Sequence, residues 1–248
     1  MKGQFKIVIP SFNSVNFISN TLGSVEKQLN KNFEVCVIDD ASTIQKQREI
    51  ISEFCHRNQW KSIFHSKNQG ALASIVEAIH HLNPQKDDVI VMLDGDDWLY
   101  DENTLNILDK VYSEEDVYLT WGQFQTYPPD CLKMNYALPI PEFVIEQQLY
   151  REIVDIFGHL KTYKYRLFRE IKDEDLRDPE SGEYFRVSWD KALMYPMLEM
   201  AAHKVRFIPD KLYVYNIVNP LSDYKINRKE QIAATNFIRN KPHYKPIF

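Results

Sequence analysis

Three carboxylates and one glycine, Asp94-Gly95-Asp96-Asp97, follow the apolar run Val89-Ile90-Val91-Met92-Leu93 with no spacer between them. Carboxylates held that close repel one another unless a positive charge lies among them. A hard divalent cation answers this: Mg2+ or Mn2+ takes one or two carboxylates and keeps positions for phosphate oxygens. The same four residues also read as an acidic turn followed by the N-cap of a helix starting near Asn103. A second acidic group, Asp39-Asp40-Ala41-Ser42, ends another apolar run, and Pro10-Ser11-Phe12-Asn13 ends a third. Far downstream, Asp190 stands in Ser188-Trp189-Asp190 at the start of a helical pattern, where a carboxylate could serve as a general base.

The elements that must position these groups alternate. Lys6-Ile7-Val8-Ile9 reads as a strand stopped by Pro10, and Phe33 to Ile38 as a second strand. Ile63-Phe64-His65 reads as a third, and Val89 to Leu93 as a fourth and central one. The central run does not alternate apolar with polar, as expected of a strand buried on both faces. Between the strands come helical patterns. The first runs through Ile18, Leu22, Val25 and Leu29 with Ser14 or Asn16 as its cap, the second carries Ile50, Ile51 and Phe54, and the third spans Ala71 to Leu82. Strands alternating with helices predict an α/β fold with a mostly parallel, Rossmann-like central sheet flanked by helices. The polar loops then gather on one edge of the sheet. One site built from residues 10–13, 39–42, 68–70 and 94–97 follows, at the strand ends where open α/β sheets bind ligands.

The second half is less regular. A helix through Leu105, Ile107, Leu108 and Val111 precedes a strand at Val117 to Trp121. Proline-punctuated segments follow, with helical pattern returning near Ile145 and near His159. The stretch Gly158-His159-Leu160-Lys161-Thr162-Tyr163-Lys164 reads as a solvated basic helix or as the lining of an acceptor cleft. Residues 173–182 form an acidic loop, Ser188 opens a helix through Leu193, Met197 and Met200, and Val205 to Pro209 and Leu212 to Tyr215 read as two strands. Asn216, Asn219 and Ser222 fall in a turn-rich stretch. Lys225, Arg228 and Lys229 begin a charged tail that could close over a ligand as a lid. His203 reads as structural rather than as a ligand. No linker separates the halves, so the 248 residues are expected to form one domain, with a ligand-binding half over about 1–121 and a second half over about 122–248.

Composition excludes some functions. The net charge of −5 argues against general nucleic-acid binding, which needs a dominant basic face. A metal or a basic loop would still admit a phosphorylated small molecule. Cys36, Cys55 and Cys131 are odd in number and lack metal spacing, which suits a reducing compartment and a cytoplasmic location. The chain runs from Met1 into a strand without a signal-peptide pattern, and no apolar run approaches the ~18 residues of a membrane span. A soluble protein is expected, with peripheral membrane contact left open.

Ile9-Pro10-Ser11-Phe12-Asn13, Val37-Ile38-Asp39-Asp40-Ala41-Ser42, Asn68-Gln69-Gly70-Ala71 and Asp94-Gly95-Asp96-Asp97, in this order, resemble the motifs of family 2 glycosyltransferases of the GT-A fold. The resemblance covers residues 5–121 and is weaker beyond. It implies a nucleotide-diphosphate-sugar donor, with UDP the expected nucleotide, and a glycan or lipid-linked acceptor. On that analogy Pro10, Ser11 and Phe12 contact the nucleotide, Asp40 bonds its base with Asp39 beside it, and Asn68 and Gly70 form the adjoining loop. Read without the analogy, residues 39–42 cap the following helix and residues 68–70 are an ordinary turn. Asp94, Asp96 and Asp97 match the family's metal and sugar-nucleotide acids, with Asp96 the first choice of Mn2+ or Mg2+ ligand and Asp97 the second. Asp190 matches the base of an inverting transfer, with Trp189 where a second acid often stands. Trp189 itself could stack on a sugar or sit in the core. Alternatives are a nucleotidyltransferase or a dehydrogenase, both disfavoured because the first loop lacks glycines. A non-catalytic nucleotide-sugar or glycan-binding module of the same fold is the other reading.

Overall fold

The structure, a computed structural model, describes residues 3–114, 116–129, 137–153, 156–220 and 228–248. Cys131, Ser222 and Lys225 lie outside the described residues.

Strands β1 (Phe5–Ser11), β2 (Phe33–Asp39), β3 (Lys61–Phe64) and β4 (Val89–Met92) alternate with helices α1 (Ile18–Glu26), α2 (Gln45–Asn58) and α3 (Ala71–Leu82). They pair in parallel in the order β3-β2-β1-β4. The chain therefore builds outward from β1 and then crosses back through α3 to β1's other side. The switch in direction falls between β1 and β4, and the crevice at a switch point is where open sheets hold ligands.

Both sheet faces are covered. On β1, Ile7 and Ile9 pack with Ile18, Leu22 and Leu105 on one side, while Val8 packs with Leu72, Ile75 and Leu198 on the other. Alternate side chains pointing to opposite faces, with both faces buried, produce the unbroken apolar runs seen in the sequence. Cys36 is a buried core residue of β2.

The second half adds β5 (Trp98–Leu99), α4 (Thr104–Glu114), β6 (Leu119–Tyr127), α5 (Glu142–Glu146), β7 (Lys161–Lys164), α6 (Tyr165–Phe168), α7 (Trp189–Ala201), β8 (Val205–Asn216) and α8 (Arg228–Arg239). The sheet continues as β4-β7-β6-β8-β5, with β7 antiparallel to both β4 and β6. Helix α7 is buried from Ala192 to Ala201, as expected of a helix with apolar residues all round.

Five sequence expectations are corrected here. Leu29 lies beyond the end of α1 and is exposed, and the α1 N-cap is Phe17 with no side-chain cap from Ser14 or Asn16. No helix forms near His159: residues 161–164 are β7, clamped between two strands with Lys161, Thr162 and Tyr163 buried. Burial on both faces removes the period-2 pattern, and the polar residue types disguise the strand. The two strands read in 205–215 are one, β8, which continues through Pro209 and Asp210. The strand read as ending at Trp121 runs on to Tyr127.

Candidate active site

The β1 and β4 ends touch. The Gly95 amide donates to the Pro10 carbonyl at 3.0 Å, and a Cβ at position 95 would stand 2.6 Å from the Ser11 Cβ. Only glycine permits this approach, so the acidic loop is pinned against the first loop. Ser11 is buried, its hydroxyl 2.6 Å from Ser14 Oγ and accepting from Gln47 Nε2 at 2.9 Å, while Phe12 stays exposed.

At the β2 end both acids are enclosed by protein donors. Asp39 accepts from Arg48 Nε and the Ser42 amide, each at 3.0 Å, and from Gln47 Nε2 at 3.1 Å. Asp40 accepts the amides of Gln69 and Gly70, each at 2.8 Å, and faces His65 Nδ1 at 2.8 Å. The other ring nitrogen of His65 meets Glu77 at 2.9 Å. Neither acid caps α2, whose N-cap is Ile44. Asp40 instead fixes the 68–70 loop, and the Asn68 amide returns a bond to the Asp40 carbonyl at 3.1 Å. Gly70 has φ +94°, a left-handed backbone that side chains rarely adopt, and it abuts Arg186. Arg186 reaches across from the second half to Asn68 Oδ1 at 2.8 Å.

The β4 acids are placed differently. Asp97 is buried with both oxygens engaged, by the Asn216 amide and the Tyr213 hydroxyl, each at 2.7 Å. These two bonds tie the acidic loop to β8 through Asp97, the residue the sequence reading named as second metal ligand. Asp96 takes the Asn219 amide at 2.6 Å. Asp94 stands 3.4 Å from the Tyr213 hydroxyl, whose single proton goes to Asp97. Burial, and then the charge of Asp96, push the Asp94 carboxyl up to about 7. Burial also raises Asp96, against the Asn219 bond, and burial followed by the charges of Asp96 and Asp94 raises Asp97. Tyr213 is itself braced by His159, whose ring stacks on it at 4.6 Å and on Tyr215 at 5.5 Å.

Asp190 lies in the first turn of α7, a position the helix dipole favours for an anion. Its Oδ2 is 3.3 Å from Lys161 Nζ. Burial alone would raise this carboxyl, but Lys161 and Lys191 outweigh burial and hold it below the usual carboxylate range. The N-cap Ser188 has φ 54°, and its hydroxyl turns away to the Gln231 carbonyl at 2.9 Å and Thr235 Oγ1 at 2.8 Å. Trp189 packs against the core. Arg228 and Lys229 are exposed at the start of α8, and His203 is exposed and paired with Glu142 at 3.2 Å.

The structure thus brings residues 10–12, 39–40, 68–70 and 94–97 to one edge, and links Asp190 to them through Lys161. Tyr213, His65, Arg48 and Arg186 are site residues that sequence reasoning did not single out; their sequence signal is no more than a polar or aromatic residue near an element end. Among the described residues no three His, Cys, Asp or Glu side chains converge as a self-sufficient metal cage. A Mg2+ or Mn2+ site completed by substrate phosphates needs only one or two carboxylates, and the half-buried Asp94 and Asp96 at the β4 end fit that requirement.

Comparison with known proteins agrees with this geometry. GlyG, a glycosyltransferase of Streptococcus pneumoniae serotype 4, is 24% identical over 228 residues, spanning 87% of this chain and 71% of GlyG. TarS of S. aureus, solved in complex with UDP-GlcNAc, superposes with a TM-score of 0.60 at 20% identity, over 86% of this chain and 58% of that one. PcManGT, a mannosyltransferase of Pyrobaculum calidifontis solved with GDP-Man and Mn2+, superposes with a TM-score of 0.63 at 15% identity, over 98% of this chain and 66% of that one. The fold is of the GT-A type. The sequence profile of glycosyl transferase family 2 matches residues 6–172, and with the strand-end loops in place the chain belongs to that family and is a glycosyltransferase.

Proposed function

We propose that this enzyme transfers a sugar from a UDP-sugar to a glycan or lipid-linked acceptor with inversion at the anomeric carbon. The observation that carries the reading is the pair of half-buried acids at the switch point, Asp94 and Asp96, with the ion-paired carboxylate Asp190 joined to that edge through Lys161. Residues 10–12 and the 68–70 loop line the nucleotide. Asp40 Oδ2 carries one protein donor, Gly70, and keeps a lone pair for a ring N–H such as that of uracil. Asp96 would hold Mn2+ or Mg2+, and a metal bound there would supply Lewis-acid neutralisation of charge on the leaving diphosphate. Asp97 keeps the loop in place through Tyr213 and Asn216.

In the transfer itself, Asp190 accepts the proton of the acceptor hydroxyl. The new bond forms between that oxygen and the anomeric carbon. The bond from the anomeric carbon to phosphate breaks, and its electron pair leaves with the nucleoside diphosphate. An ionised carboxylate beside Lys161 is in the protonation state this needs at neutral pH. The S. aureus and Pyrobaculum neighbours, solved with UDP-GlcNAc and with GDP-Man plus Mn2+, support a nucleotide-sugar donor and a divalent metal.

The test is release of UDP from UDP-GlcNAc, with Mn2+ or with chelator, alone and with candidate sugar acceptors. Metal-dependent release, lost in Asp190→Asn, is the expected result. Equal release by Asp190→Asn would remove Asp190 from the base role. Binding of UDP-GlcNAc with no turnover under any condition would favour the binding-module reading.

A further inference from the structure

Lys161 is a buried charged group whose own part in the reaction the reading above does not define. It is 5% exposed and opens β7. The pairing of Met92 with Lys161 sets it beside the last residue of β4, two positions before Asp94. Its ammonium is 3.3 Å from Asp190 Oδ2 and also acts on Asp94. A lysine is seldom buried this far, because an ammonium taken out of water must be compensated by a paired charge.

The surroundings of Asp190 define what that charge does. Lys161 faces it from β7, Lys191 from its own helix, His159 from the segment before β7, and Asp94 from the β4 end. His159 contributes little cationic charge, because burial and then Lys161 lower its ring to about 3. Asp94 acts in the opposite sense, since one carboxylate disfavours ionisation of another. Lys161 is the cation in hydrogen-bond contact with Asp190.

From this geometry we infer that Lys161 is a positioning residue for the transfer reaction: from its place beside the end of β4 it pairs with Asp190, holds that carboxylate ionised and fixes it beside the donor site. The inference rests on the reading of Asp190 as the base. Without the ammonium, burial and the Asp94 charge act on Asp190 against Lys191 alone, and a larger share of enzyme carries a protonated group that cannot accept the acceptor's proton.

The direct test is a pH titration of 13C-labelled aspartate carboxyls by NMR, with Asp190→Asn identifying the Asp190 resonance. In the wild type the Asp190 signal should stay ionised throughout the pH range in which the protein is folded. In Lys161→Met it should titrate within that range, with proton affinity raised at least tenfold, and Lys161→Arg should restore ionisation. The acid limb of the pH profile for UDP-GlcNAc turnover should move upward with it. Lys161→Gln is a second neutral variant. The reciprocal measurement needs neither: in Asp190→Asn the Lys161 ammonium, followed by its 13Cε shift, should lose its proton at lower pH than in the wild type. An Asp190 signal unmoved in both neutral variants, or a Lys161 titration unmoved in Asp190→Asn, would overturn the inference. Full turnover by Asp190→Asn alongside a Lys161-dependent titration would instead overturn the base reading and leave the pairing intact.

Discussion

Two acid groups end neighbouring regions of the same sheet, and they are treated in opposite ways. At the end of β2, Asp39 and Asp40 are wrapped by Arg48, His65, two side-chain or backbone donors from residues 42 and 47, and two loop amides. At the end of β4, Asp94, Asp96 and Asp97 share neutral donors from Tyr213, Asn216 and Asn219, with Lys161 the cation that acts on Asp94. The first pair is satisfied by the protein and organises two loops. The second group is crowded, desolvated and short of positive charge. On the proposed function, that difference separates acids that organise the loops from Asp94 and Asp96, which would face the donor, although the two groups look alike in sequence.

The largest effect should come from removing an acid that no cation among the described residues pairs with, Asp96. Asp96→Asn should lower turnover at least about 10²-fold, because several kcal/mol of transition-state stabilisation leave with the metal. Steady-state UDP release measures it. The comparison is sharpened if the same variant, without ligand, melts at or above the wild-type temperature, since a repelling carboxylate is gone.

Next in size is an opposite result at the β2 end. Arg48→Met leaves Asp39, fully buried, without its cation, and should cost about 1–3 kcal/mol. Urea unfolding would read this directly, and the melting temperature should fall by roughly 2–4 °C per kcal/mol for a chain of this size. A melting temperature unchanged by Arg48→Met would break the comparison.

A smaller effect concerns pH. Asp94 is raised to about 7, first by burial and then by the Asp96 charge. The folded protein keeps a proton there that the unfolded chain has already released above about pH 4. Stability of the ligand-free protein should therefore decline as pH rises from about 4 to about 7. Asp94→Asn should flatten that part of the melting curve against pH. Addition of Mn2+ with UDP should offset the loss at the upper end.

The smallest effect belongs to His65. Burial opposes its charged form, but the bonds to Asp40 and Glu77 prevail and raise its pKa. Its contribution is present in full below the ordinary histidine value near 6.5 and is lost as pH rises through the higher folded value. NMR titration of the imidazole should show a midpoint above 6.5 in the wild type, and His65→Gln should remove the matching step in stability.

Much of the first half was legible from residue types alone. Ile7, Val8 and Ile9 form an unbroken apolar run because both sheet faces are covered, and α3 was bounded correctly by its pattern. The acids at residues 39–40 and 94–97 stood out because charge follows such runs so abruptly. Their fates did not. Tyr213 bonds Asp97 across 116 positions of sequence, and Asn219 bonds Asp96 across 123. No local pattern carries such partnerships. Lys161 was visible but misplaced, because β7 is short, polar in composition and buried on both sides. Asp190 was found at its helix start, but the ammonium beside it comes from that misread strand.

The most direct test of a metal-binding role for the β4 acids is calorimetric titration of UDP-GlcNAc into the wild type and Asp96→Asn, each with Mn2+ and with chelator, near pH 7.5. That role predicts binding by the wild type with Mn2+ and its loss, by tenfold or more in affinity, on chelation or in Asp96→Asn. Equal affinity in all four titrations would contradict it, and would take the β4 acids out of metal-dependent donor binding.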